Sequence, residues 1–128
     1  MNEKNMLKEG LTHTSQLTVT EAVTAVAMGS GDLPVLATPA MMALMENAAM
    51  LAVADQLPEG CTTVGGHIAA SHLKPTPVGE IVTATATVTK VDGKKIEFEI
   101  KAHCGEVLLG EGTHLRFIVD RNKFMSRV

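Results

Sequence analysis

The sequence predicts an α+β fold in which one long apolar helix is wrapped by a curled antiparallel sheet, with dimerisation extending that sheet. Three observations lead there. A mostly apolar run from Val35 to Ala54 begins with Thr38-Pro39 and is stopped by Leu57-Pro58-Glu59-Gly60. The second half of the chain alternates apolar and polar residues over three successive stretches joined by turn residues. Finally, a helix apolar on nearly every side is too greasy for one small sheet to cover, so a curled sheet and a second copy must share the work.

Leu11 to Val19 alternates as a strand and is expected to open the sheet. Residues 20–29 read equally as a short helix or a strand, and Gly29-Ser30-Gly31-Asp32 as a loop. Thr38 reads as a helix cap, with Pro39 at the first helical position where its missing N–H costs nothing. The helix should run to about Gln56, with Glu46 and Asn47 the only polar interruption before Asp55. Gly65 to Leu73 reads as a short strand, followed by a bend at Lys74-Pro75-Thr76-Pro77.

From Ile81 to Val91 the even positions Val82, Ala84, Ala86 and Val88 are apolar and the odd ones carry threonines. From Lys94 to Cys104 the even positions Ile96, Phe98, Ile100 and Ala102 are again apolar. Directly opposed residues share a face, so the two even sets must pair. A three-residue loop, Val91-Asp92-Gly93, would do this, setting Val88 against Ile96 and Ala86 against Phe98. Gly105-Glu106 then suits a two-residue turn. That register places Leu109, Leu115, Phe117 and Val119 on the core face and sends His114 and Arg116 outward.

The chain has 128 residues, 45% hydrophobic and 20% charged, which fits one ordinary globular domain spanning 1–128. With three Phe, no Trp, no Tyr and a net charge of −3, it lacks both a stacking platform for single strands and the basic footprint of a duplex binder. A small molecule and a second protein chain are the expected partners, and nucleic acid is not. Glu46 and Asn47 inside the apolar run argue against a membrane span. Met1 to Gly10 alternates charges without an apolar stretch, so a secretory leader is not expected. Cys61 and Cys104 read as free thiols, and a cytoplasmic location follows as the expectation.

Glu46 is the most informative residue, since a carboxylate among Met41, Met42, Met45 and Met50 needs a reason. It is either a wet residue on a groove or a catalytic carboxylate held in an apolar cleft. Thr38 has a sufficient role as a cap, although a helix terminus also stabilises developing negative charge. His72 is as readily a satisfied strand histidine as a general base. No His or Cys pair shows metal-ligand spacing, so no metal is expected. The glycines make no phosphate loop. Arg121, Lys123 and Arg127 form a modest basic tail, either a solvated end or a phosphate contact.

The helix start Val35-Leu36-Ala37-Thr38-Pro39-Ala40-Met41-Met42-Ala43-Leu44-Met45-Glu46, followed by the strand meander, resembles the hotdog-fold thioesterases, and more closely the fluoroacetyl-CoA thioesterase-like group. The similarity runs from about residue 8 to 126. It implies a catalytic set of Thr38, Glu46 and His72. It also implies a substrate-binding backbone at Gly65-Gly66, with the Gly65 amide near the thioester carbonyl. Arg116, within Gly112-Thr113-His114-Leu115-Arg116, joins that substrate-binding group. The resemblance further implies a homodimer, stacking into a tetramer or not, with acyl-CoA sites at the interface. No cofactor is implied beyond coenzyme A as part of the substrate. That group carries Phe residues in a lid before the catalytic Thr, whereas Gly29 to Leu36 here contains none. A short or medium acyl thioester is therefore expected rather than fluoroacetyl-CoA. The rival functions are a non-catalytic acyl-CoA binding module and a hotdog enoyl-CoA hydratase or dehydratase, which would want an Asp/His pair.

Overall fold

The structure, a computed structural model, describes residues 6–128. The leader reading rests partly on residues 1–5, which lie outside the described residues. Strand β1 (Thr12–Thr18) leads through a 3-10 turn (Glu21–Val23) and the short helix α1 (Ala25–Met28) to the long helix α2 (Thr38–Val53). A 3-10 turn (Ala54–Gln56) closes α2, and strands β2 (Cys61–His72), β3 (Ile81–Asp92), β4 (Lys95–Cys104) and β5 (Val107–Asp120) follow. A five-residue helix, α3 (Arg121–Met125), ends the described chain. The strands form one antiparallel sheet in the order β1-β3-β4-β5-β2, so β1 and β2 are its edges.

The sheet curls around α2, and the core lies between them. All eight even apolar positions of β3 and β4, from Val82 to Val88 and from Ile96 to Ala102, are buried. They meet Ala40, Met41, Leu44, Met45, Ala48, Ala49 and Val53 of the helix, a stripe at the spacing that puts residues on one helical face. Among the described residues nothing covers the opposite face: Ala43, Asn47 and Leu51 are exposed and Glu46 is half-buried. The single sheet thus covers one side of the helix, in keeping with an apolar helix too large for one small sheet to enclose.

Two β-bulges correct the expected registers, and a third lies in β2. The β3–β4 turn is the two-residue Gly93-Lys94, since Asp92 pairs with Lys95 and Gly93 has φ 61°. The odd residue needed to match the apolar faces is Thr89, bulged between Val88 and Lys90, and its hydroxyl donates to the Glu97 carbonyl at 3.1 Å. Val88 therefore faces Phe98, and Ala86 faces Ile100. At the next hairpin Gly105-Glu106 is indeed the turn, with Cys104 opposite Val107. A bulge at Leu109 then advances β5 by one residue, which exchanges its faces. Leu109 is buried as expected, whereas Phe117 is 38% exposed and Leu115 and Val119 are only half-buried. His114 and Arg116 instead point inward, at 2% and 7% exposure. The third bulge, at Gly66, lies in β2 between Gly65 and His67. That strand begins at Cys61, four residues before the expected start.

Candidate active site

The start of α2 is set by backbone pairing. The Leu36 N–H donates to the Thr76 carbonyl (2.8 Å) and the Ala37 N–H to the Val23 carbonyl (2.9 Å), which keeps the chain extended up to residue 37. Ala37 is consequently the cap position, and Thr38 is the first helical residue rather than the cap. Its side chain makes no cap bond. It turns instead to the end of β2, where Thr38 Oγ1 lies 2.7 Å from His72 Nδ1. Burial lowers the His72 pKa from its ordinary value, with a backbone hydrogen bond at Lys74 working against it. The ring is therefore neutral near pH 7 and can accept the threonine proton at Nδ1. His72 Nε2 is buried with no hydrogen-bond partner among the described residues. A hydroxyl bonded to a neutral imidazole is the pairing from which a proton can be drawn off an attacking oxygen.

A second cluster lies further along α2. Glu46 faces the Gly65 backbone so closely that a Cβ on residue 65 would stand 2.9 Å from Glu46 Oε2 and 3.6 Å from an Arg116 Nη1. Arg116 is buried and held on three sides. Its Nε donates to Thr63 Oγ1 (2.8 Å), Nη2 to the Thr63 carbonyl (2.9 Å) and Nη1 to His114 Nε2 (3.2 Å). His114 Nδ1 in turn donates to the His67 carbonyl at 2.8 Å, and its ring stands against Phe98 with centroids 6.0 Å apart. Burial lowers the pKa of both His114 and Arg116, while the Glu46 charge acts the other way on each. Among the described residues Glu46 and Arg116 make no ion pair within 4.0 Å, so the carboxylate faces the guanidinium across an open groove. Ala43, Asn47 and Met50 form the helix side of that groove, and Thr63, Val64 and Gly65 the strand side.

The expected site residues thus fall into two groups. Thr38 and His72 meet directly, and Glu46, Gly65 and Arg116 share the groove. Gly66 follows Gly65 as the bulged residue of β2, and a side chain there would strike the Phe117 ring. Within one protomer the two groups do not merge, since eight helical residues separate Thr38 from Glu46 by about 12 Å. Thr63, His114 and Asn47 were not foreseen. Asn47 Oδ1 accepts from the Ser15 hydroxyl at 2.6 Å, which ties α2 to β1 beside Glu46. The sequence signals for this cluster were the lone carboxylate of Glu46 in an apolar helix and the family resemblance at Gly65 and Arg116; nothing in the pattern singled out Thr63 or His114. Among the described residues no group of three His, Cys, Asp or Glu side chains could hold a metal ion. No helix of the described chain is long and apolar enough to cross a membrane.

A curled antiparallel sheet wrapped around one long helix, with its polar groups gathered at the helix and the β2 edge, is the hotdog fold. A hot-dog-like protein from Thermanaerovibrio acidaminovorans shares it, with a TM-score of 0.86, 24% identity and 99% and 94% of the two chains covered. Among hotdog proteins the chain belongs to the fluoroacetyl-CoA-specific thioesterase family, whose pattern matches residues 19–122, and it is accordingly a thioester hydrolase. It is 37% identical over 94 residues to the fluoroacetyl-CoA thioesterase of Streptantibioticus cattleyicolor, covering 73% of this chain and 68% of that one. A solved structure of fluoroacetyl-CoA thioesterase superposes with a TM-score of 0.87 at 31% identity, covering 94% of each chain. A Thermus thermophilus thioesterase superfamily member gives a TM-score of 0.85 at 26% identity, covering 93% of this chain and 88% of that one.

Proposed function

We propose that the protein hydrolyses a short or medium acyl-CoA thioester to the free acid and coenzyme A, in a homodimer whose two active sites lie at the interface. The observation that carries this reading is the 2.7 Å contact between the Thr38 hydroxyl and the neutral His72 ring. Thr38, Glu46 and His72 are the catalytic set, and Gly65, Gly66 and Arg116 contact the substrate. With Thr38 attacking, His72 takes the hydroxyl proton and passes it to the departing thiolate. It then draws a proton from the water that releases the acyl group as the free acid. The oxyanion is met by the Gly65 amide and the N-terminus of α2, a type of donor worth about 3 kcal/mol elsewhere. Thr38 and Glu46 are alternative attacking groups, and trapping of an acyl group on one of them decides between them.

Dimerisation is the economical way to join the two groups of residues. Seven steps along β2 separate Gly65 from His72, roughly 20 Å of strand. β2 is an edge of the sheet, and a long bare edge invites pairing. If two copies pair antiparallel across a two-fold axis near Ile68, the His72 end of one strand lies beside the Gly65 end of the other. The same contact would cover Leu51, 41% exposed here, and the uncovered side of α2. The fluoroacetyl group is not the favoured acyl group, because the loop from Gly29 to Leu36 has no aromatic residue to close over it.

The test is thiol release from acyl-CoAs ranging from acetyl through phenylacetyl to decanoyl, with His72→Ala alongside and the mass in solution measured by light scattering. Release that His72→Ala abolishes, from a dimer, is the expected result. Binding without release, unchanged in the variant, would make the protein a non-catalytic acyl-CoA binder instead.

A further inference from the structure

One polar feature outside the active site has no part in the chemistry above. At the far end of the β2–β5 strand pair, a cavity of ≈ 300 Å³ is lined by Lys94, Ile118, Asp120, Lys123, Phe124 and Arg127, together with Val119. Lys94 comes from the β3–β4 turn, which is fixed there because its carbonyl accepts from the Ile118 N–H at 2.8 Å. Lys123, Phe124 and Arg127 come from α3 and the residues after it. Asp120 caps this turn, its Oδ1 accepting from the Lys123 N–H (3.0 Å), and the Ser126 hydroxyl closes it on the Lys123 carbonyl (2.7 Å). Three cations thus converge on one cavity in a chain whose net charge is −3. Among the described residues none of the three is in an ion pair, and the single carboxylate present, Asp120, is engaged with the backbone. Phe124 is 40% exposed on the same cavity.

Position gives this cavity its meaning. Gly65 lies opposite Arg116 and Cys61 opposite Asp120, with no bulge between. Arg116, Ile118 and Asp120 therefore share one side of β5. The cation cavity sits on that side about 13 Å beyond the groove holding Glu46 and Gly65. A ligand with a reactive end at Gly65 would reach it only through an extended linker. Its far end would need phosphates for the cations and a flat ring for Phe124.

We propose that Lys94, Lys123, Arg127 and Phe124 form a subsite for the phosphorylated adenosine end of coenzyme A. The inference rests on the acyl-CoA reading and deepens it by separating nucleotide recognition from the buried Arg116, three of whose five N–H donors are held by Thr63 and His114. The phosphate chemistry is shared with the phosphopantetheine arm of a carrier protein, which has no adenosine.

The experiment is calorimetric titration of the full chain with coenzyme A, adenosine 3′,5′-bisphosphate, 4′-phosphopantetheine and pantetheine. The wild type is compared with the double variant Lys123→Ala/Arg127→Ala and with Phe124→Ala, and circular dichroism checks that each is folded. Expected are an affinity for coenzyme A at least about tenfold weaker in the double variant, pantetheine unaffected, and losses that shrink as salt is raised. Loss of adenosine 3′,5′-bisphosphate binding in Phe124→Ala identifies the nucleotide as the occupant. Equal affinity of the wild type and the double variant for coenzyme A overturns the proposal. So does phosphopantetheine binding as tightly as coenzyme A, which would point to a carrier protein. A wild type that binds coenzyme A through these residues yet hydrolyses no thioester would overturn the hydrolase reading and leave the subsite standing.

Discussion

Thr63 holds Arg116 twice, its hydroxyl accepting from Nε at 2.8 Å and its carbonyl from Nη2 at 2.9 Å. With Nη1 on His114, the guanidinium is locked at 7% exposure on the floor of the groove. A charge so fixed is preorganised, and it needs no reorganisation when charge develops above it.

Thr63→Val keeps the shape of the side chain and deletes only the hydroxyl acceptor. A buried cation then loses one charge-assisted hydrogen bond, at a cost of about 2 kcal/mol. Urea unfolding is expected to show that loss, and Thr63→Ser to recover most of it. Equal stability of Thr63→Val and wild type would mean that the lock is not formed.

His114 makes stability depend on pH. Its Nδ1–H donates to the His67 carbonyl and its Nε2 accepts from Arg116, so the folded ring is neutral. A second proton would have to face the guanidinium. Burial above all holds its pKa below the ordinary 6.5, whereas the unfolded chain takes up the proton at that ordinary value. The unfolded state therefore binds more protons as pH falls below 6.5, and stability drops over that range. His114→Gln should remove part of this slope in unfolding curves recorded between pH 7 and 5. His72, shifted in the same direction, supplies another part. An unchanged slope in His114→Gln would contradict the neutral assignment.

The helix, the order of elements and the core faces of β3 and β4 were readable from periodicity, because each is set by a pattern repeated over many residues. The inward turn of His114 and Arg116 was not, because it depends on one extra residue at Leu109. A bulge shifts every later side chain to the other face yet leaves the composition of the strand unchanged. The role of Thr38 was obscured for a related reason. Thr-Pro at a helix start satisfies the local rule for a cap, and only the long-range pairing of Leu36 with Thr76 and Ala37 with Val23 moves the helix start onto residue 38.

Gly65 offers a test of the groove that spares the fold. A methyl there meets Glu46 Oε2 at 2.9 Å, and this atom is the free end of a flexible side chain. Gly65→Ala should therefore change stability by no more than about 1 kcal/mol while swinging the carboxylate out of place. Thiol release is expected to fall by at least about tenfold, since small displacements of a reacting group are costly. Full activity in Gly65→Ala would remove Glu46 from the reaction.

The Thr38–His72 pair sets the acid limb of the rate profile. His72 must be neutral to take the threonine proton, and burial keeps it neutral to a pH below its ordinary 6.5. Plotted against pH, kcat/KM should fall on the acid side as the imidazole becomes protonated, with its midpoint below the ordinary histidine value. Thr38→Val removes the hydroxyl bonded to Nδ1 and leaves the helix start intact, because Thr38 is not the cap. Stability should therefore barely change, whereas thiol release falls by about a hundredfold or more, the usual scale for losing a positioned proton transfer. If Thr38→Val instead unfolds at markedly lower temperature and its residual activity follows the folded fraction, the threonine is a structural residue and the hydroxyl takes no part in the reaction.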